Sequence, residues 1–202
     1  LNHLDFALVE RELGRGSMAL THFFGRPQNI LMACKDEQIE KYLLPAVRGE
    51  LMDALAMTEP DAGSDVRGMK CFAKSEGTDW IVNGTKHFIS GAEHADFVIV
   101  FIATGEEKTP KGPKKKITAF LVDRGMPGFV IRDGYNSVSH KGYKNMILEF
   151  DDCRLPKEQV LGDVNGGFEV MNTWLYATRL TVAAMSVGLS LIHISEPTRL
   201  SA

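Results

Sequence analysis

Met57-Thr58-Glu59-Pro60-Asp61-Ala62-Gly63-Ser64-Asp65 is the stretch whose reading decides the fold of this 202-residue chain. Its nine residues hold two helix breakers, two hydroxyls and three carboxylates. Proline at position 60 clashes with a preceding helical turn and pushes its neighbour Glu59 out of the helical region. Gly63 opens backbone conformations closed to other residues. Thr58 and Ser64 then project hydroxyls from a bent backbone, a loop suited to wrapping a polar ligand with N–H and O–H groups.

Upstream of the loop the pattern is helical. Leu1, Leu4 and Leu8 recur at helical spacing with Val9 and Leu13, and Gly14 and Gly16 are expected to stop that helix. A second helix is expected over residues 17–24, breaking at Gly25-Arg26-Pro27. A third lies within 36–44, with Ile39, Leu43 and Leu44 on one face, Pro45 disrupting it and Gly49 ending the segment.

Downstream of Leu51 short β-rich runs alternate with turn signals. Expected strands cover 69–75, 80–82, 86–89, 97–103, 117–122, 129–132 and 146–150. Asn83-Gly84 reads as a hairpin turn, because both residues tolerate positive φ. Residues 105–116, with Pro110, Gly112, Pro113 and three consecutive lysines, read as an exposed hairpin loop. Those lysines suit a solvated tip, or a patch for a phosphate-rich ligand or an acidic partner. After Pro156 the helical pattern returns: Asn165-Gly166-Gly167 is the entry, and Phe168, Met171, Leu175 and Val182 recur at helical steps.

Composition narrows the function. A net charge of −3 carries no basic excess for nucleic acid and no acidic run for disorder. Cys34, Cys71 and Cys153 are widely and irregularly spaced, which argues against a disulfide framework or a zinc site and for packing residues in a reducing compartment. The six histidines show no metal-ligand spacing. No apolar run approaches the roughly 20 residues of a membrane span.

The 57–65 stretch resembles the T-E-P-x-A-G-S-D signature of the acyl-CoA dehydrogenase family, flavoenzymes that desaturate acyl thioesters. Ile81-Val82-Asn83-Gly84-Thr85-Lys86-His87-Phe88-Ile89-Ser90-Gly91 looks like the family's x-NG-x-K-x-W-I-T-N segment. Phe150-Asp151-Asp152-Cys153-Arg154-Leu155-Pro156 looks like its F-D-D-V-x-V-P segment, and Val164-Asn165-Gly166-Gly167-Phe168 and Thr178-Arg179 follow in the family's order. The resemblance covers roughly residues 30–188. It implies an α+β fold: helices, an antiparallel β-domain, then the first helix of a helical bundle. The expected organisation is 1–50 for the end of an N-terminal helical domain, 51–160 for a middle β-domain, 161–188 for the first helix of a C-terminal domain and 189–202 for a non-native tail. That tail resembles translated sequencing adapter and is set aside. The chain, starting at Leu1 inside a helical pattern, reads as a fragment.

The resemblance also implies FAD as cofactor and acyl-CoA as substrate. It implies an electron-transfer flavoprotein as acceptor, a role in fatty-acid β-oxidation and a dimeric or tetrameric homo-oligomer. The flavin would be lined by Leu55, Met57, Thr58, Gly63, Ser64, Phe88, Ile89 and Ser90. Phe88 and Ser90 stand where the commoner residues are Trp and Thr; the competing reading makes Phe88 and Ile89 ordinary strand core. Substrate contacts would come from Ser64, Thr104, Tyr176, Thr178 and Arg179. Arg179 would face the thioester and CoA, or else form a surface salt bridge. No residue here is expected to be the catalytic base: the family's usual glutamate lies in the last helical domain, and Thr178 occupies the minority position. Glu59 is expected to fix the loop. Acyl-CoA oxidases, flavin monooxygenases of the same fold and an inactive stub remain alternatives. The bacterial cytoplasm is favoured over the mitochondrial matrix.

Overall fold

The computed structural model describes residues 2–16, 27–110, 112–138 and 144–194. The expected helix over 17–24 and residues 195–202 of the tail lie outside the described residues.

Helix α1 spans His3–Gly16 and packs along a long C-terminal helix, α3, over Gly167–Ile194. Gly14 does not stop α1. A methyl group at Gly14 would run into the Met185 backbone, and one at Gly188 into the Arg11 carbonyl, so the two glycines let the helix backbones touch. Leu4, Leu8 and Val9, which recur at helical spacing, are exposed. Further along, a 3-10 turn (Asn29–Ala33) precedes a π-type turn (Ile39–Leu43) that runs directly into helix α2 (Leu44–Arg48). Pro45 does not end the helical run; it stands in the first turn of α2, where the π-type geometry changes to α-helix. Gly49, at φ +74°, ends it as expected. Tyr42 and Ala46 face the core, whereas Ile39 is exposed.

The strands are β1 (Asp53–Ala56), β2 (Phe72–Glu76), β3 (Asp79–Ser90), β4 (Phe97–Thr109), β5 (Gly112–Asp123), β6 (Phe129–Tyr135), β7 (Asn145–Leu155) and β8 (Val160–Leu161). They form one sheet in the order β6-β7-β3-β2-β4-β5-β8, with β1 also on β4. Pairing is antiparallel as expected, except that β1 and β2 both run parallel to β4. Asn83-Gly84 is not a hairpin turn. β3 runs straight through it with a register shift, and Gly84 is needed because a Cβ there would lie 2.7 Å from the Cys71 Cα. The β2–β3 hairpin turns at Gly77-Thr78, with Gly77 at φ +63°. The 105–116 stretch is mostly strand rather than loop, because Glu106 faces Lys115 and Glu107 faces Lys114 across the β4–β5 ladder.

β4 is buried on both faces. Val98, Val100 and Ile102 join Phe120, Phe129, Leu148, Phe150 and their neighbours in one core. Phe97, Ile99 and Phe101 join Leu31, Tyr42, Met69, Leu121 and Met171 in a second core, covered by the 30–46 segment and by Phe168, Trp174 and Leu175 of α3. A two-sided strand reads as a continuous apolar run, which is how 97–103 looks in sequence. The sheet thus offers a rigid floor, and the 57–68 loop lies at the end of β1 on the α3 side.

Candidate functional site

The loop is pinned from beneath. Glu59 and Ala62 exchange backbone hydrogen bonds at 2.8 and 3.2 Å, closing a tight reversal over Pro60-Asp61. The Glu59 side chain turns inward and is buried. Its Oε2 accepts the backbone N–H groups of Lys70 and Cys71, the latter at 3.1 Å, and its Oε1 lies 2.6 Å from the ammonium of Lys86. Lys86 is wholly buried and also donates to the Met57 carbonyl at 3.1 Å. A buried ion pair needs further hydrogen bonds at both ends; here the carboxylate accepts two backbone N–H groups and the ammonium also bonds the Met57 carbonyl. Glu59 is thus a structural anchor, as expected, its buried carboxylate held by three donors.

The loop is also tied sideways to β3: the His87 N–H donates to the Thr58 carbonyl at 2.9 Å. At that point β3 bulges. The register with β7 slips between Lys86 and Ile89, and Phe88 takes φ +59°. A bulky residue in the left-handed region costs on the order of 1–3 kcal/mol and marks a place where the fold imposes the geometry. The bulge points Lys86 and Ile89 into the protein and leaves the Phe88 ring 52% exposed beside the Thr58 loop. Phe88 is therefore not strand core. The Ile89 side chain is, at 1% exposed, so only its backbone can meet a ligand.

The remaining expected residues fall into three places. Leu55 lies in β1 opposite Ile99, and Met57 packs on the second core, both half-buried. Gly63 and Ser64 are exposed at the loop rim, and just beyond them the Arg67 guanidinium stacks 4.1 Å over the Phe168 ring at the start of α3. Ser90 donates to the Asn145 carboxamide at 3.0 Å. Thr104 belongs to a separate network: its hydroxyl lies 2.7 Å from that of Thr118 and donates to Asn165 Oδ1 at 2.9 Å, at the α3 entry. Tyr176, Thr178 and Arg179 sit on α3, with Arg179 6.0 Å from the exposed Tyr176 ring and in no ion pair among the described residues. The structure thus joins the 57–58 and 87–90 segments directly. It leads from Ser64 to α3 through Arg67, and places Thr104 at the α3 entry and Arg179 further along α3.

Among the described residues, the hydroxyls of Thr58 and Ser64 make no hydrogen bond. Two uncommitted hydroxyls on this loop, and a half-exposed aromatic ring on the strand bonded to it, suit a flat ligand with polar atoms on its rim. The three cysteines lie elsewhere, buried and free, and burial pushes the thiols up to about 11 for Cys34 and Cys153 and about 12 for Cys71. No group of three or more metal-ligating side chains occurs among the described residues. No helix among the described residues is long and apolar enough to cross a membrane. A pocket of about 470 Å³ lined by Lys35, Gln38, Glu158 and Gly162 shares none of the site residues.

Residues 54–153, running from β1 into β7, match the family model for the acyl-CoA dehydrogenase middle domain. The chain belongs to the acyl-CoA dehydrogenase family. It is 36% identical over 194 residues to the mitochondrial isovaleryl-CoA dehydrogenase of Pongo abelii, covering 94% of this chain and 45% of that one. It is 32% identical to subunit CarC of the caffeyl-CoA reductase-Etf complex of Acetobacterium woodii, over 94% of this chain and 50% of CarC. It superimposes on PigA, solved as a complex with FAD, with a TM-score of 0.85 at 28% identity, covering 97% of this chain and 52% of that one. The chain thus spans about half the length of these relatives. Four residues that sequence reasoning left without a role enter the site: Lys86 as the ion-pair partner of Glu59, His87 as the tie to Thr58, and Tyr135 and Asn145 as neighbours of Phe88 and Ser90. Lys86 carried a faint signal, a lysine inside a β-rich run.

Proposed function

We propose that this chain forms the flavin wall and part of the CoA wall of an FAD-dependent dehydrogenase that converts acyl-CoA to 2,3-enoyl-CoA. The observation that carries the reading is the bonded pair of segments, Thr58 loop and Phe88 bulge, with free hydroxyls and an exposed ring. When bound, FAD supplies the hydride acceptor. Thr58 would hydrogen-bond its ring edge, Phe88 would pack its face, and Ser90 would sit beside it with its hydroxyl oriented by Asn145. Leu55, Met57, Gly63 and the Ile89 backbone complete that wall.

On the substrate side, Ser64 and Thr104 would contact CoA. Arg179 would face the thioester and the CoA chain, since its guanidinium has no carboxylate partner among the described residues. Tyr176 and Thr178 flank it on α3. Proton abstraction needs a positioned base within hydrogen-bond reach of the substrate carbon. Glu59 is consumed by three donors and Thr178 lacks the chemistry, so the base comes from sequence outside these 202 residues. The kinship with a subunit of an Etf complex supports an electron-transfer flavoprotein as acceptor. The working enzyme is a homo-oligomer, and the favoured compartment is the bacterial cytoplasm.

The test is an assay of the purified chain with short, medium and long acyl-CoA and an artificial electron acceptor, alongside an FAD titration. The reading expects weak FAD binding, weaker still in Thr58→Ala, and no turnover. Turnover by the chain alone would overturn the assignment of the base; a flavin that binds without sensing Thr58→Ala would overturn the site.

A further inference from the structure

Four non-glycine residues have left-handed backbone among the described residues: Asp36, Phe88, Asp152 and Asn165. Asp and Asn adopt that conformation with little strain, and Phe does not. Something outside the bulge must hold Phe88 there. Its ring contacts identify the holder. Tyr135 lies with its ring centroid 4.4 Å from that of Phe88 at an interplanar angle of 30°, and His87 lies 4.6 Å away at 35°. The Tyr135 hydroxyl and His87 Nδ1 are 3.1 Å apart, so the three rings close on one another.

The placement of Tyr135 follows from the sheet. It ends β6 just after a register slip, and its partner in β7 is Asn145. Asn145 in turn faces Ser90 of β3, whose hydroxyl it accepts at 3.0 Å. Tyr135, Asn145 and Ser90 thus form one row across three strands, with Phe88 beside it.

We propose that Tyr135, acting with His87, is a positioning residue that locks Phe88 in its left-handed, outward conformation and so shapes the ring face offered to the flavin. Tyr135 is 41% exposed, so its ring is not needed to fill the core; its contacts are with this cluster. The flavin half of the proposal rests on the reading of the site given above. The locking half stands on the ring geometry alone.

The experiment compares wild type, Tyr135→Phe and Tyr135→Ala by backbone NMR without flavin, then by FAD titration. The Phe88 Cα shift and HN–Hα coupling report its φ. Wild type and Tyr135→Phe are expected to keep Phe88 left-handed, and Tyr135→Ala to release it to extended backbone. FAD affinity should fall about tenfold in Tyr135→Ala, in keeping with the loss of a stacked ring, and much less in Tyr135→Phe. Phe88 remaining left-handed in Tyr135→Ala overturns the lock. If that variant fails to fold, Tyr135→Leu takes its place, filling the space without a ring, and the same criterion applies. A wild type whose site does not sense FAD contradicts the flavin reading, while the Phe88 backbone still decides the lock.

Discussion

Replacing Lys86 by methionine removes the ammonium from the loop anchor while keeping the length of the side chain. Glu59 is then left with two backbone donors and no counter-charge, in a site where its side chain is 3% exposed. Removing one partner of a buried pair usually costs about 3–5 kcal/mol. The two N–H bonds remain and offset part of that, so about 3 kcal/mol is expected. For a protein of this size each kcal/mol shifts Tm by roughly 2–4 °C, so Tm should fall by roughly 6–12 °C. Urea unfolding measures the free energy, and hydrogen exchange at the Lys70 and Cys71 amides reports the loop. The double variant Glu59→Gln/Lys86→Met carries no stranded charge, and should be less destabilised than the sum of its single variants by roughly 2 kcal/mol, within the range of contacting pairs. A Lys86→Met loss below about 1 kcal/mol, or strict additivity, would refute the view that this pair anchors the loop.

Three further outcomes follow from the same structure. Burial raises the Asp53 carboxyl to about 6. The folded chain therefore binds a proton that the unfolded chain has released between roughly pH 4 and 6, and stability falls as pH rises through that window; Asp53→Asn should stabilise at pH 8 in denaturant melts, with the gain vanishing near pH 4. Gly188→Ala should destabilise, against the usual gain of about 1 kcal/mol for glycine to alanine in a helix, because the methyl meets the Arg11 carbonyl; a higher Tm would contradict the α1–α3 contact. All three cysteines should resist a thiol reagent at pH 8 until the chain is unfolded, since burial holds each thiol protonated; rapid labelling of any one under native conditions would contradict its burial.

What the sequence made legible was the part governed by local rules. Pro60 and Gly63 marked the loop, the 97–103 apolar run marked a central strand, and Asn165-Gly166-Gly167 marked the start of α3. What it hid was set by distant neighbours. Asn83-Gly84 reads as a turn by its own propensity, yet it lies mid-strand because Cys71 packs on Gly84. Gly14 reads as a helix stop, yet it is the contact point for α3. In the candidate site, motif resemblance pointed to Thr58, Ser64 and Phe88 but not to Lys86 and Tyr135, since a buried ion pair spanning 27 residues and a ring contact between β3 and β6 leave no local pattern.

The most direct measurement of the central claim is a map of backbone amide shifts as FAD is titrated into the labelled chain. NMR reads weak binding as well as tight. The account predicts progressive shifts in the 55–64 loop, at Phe88 to Ser90 and at Tyr135, with the pocket around Lys35 and Glu158 unmoved. An unperturbed 55–64 loop, or shifts centred on the Lys35 pocket, would contradict it.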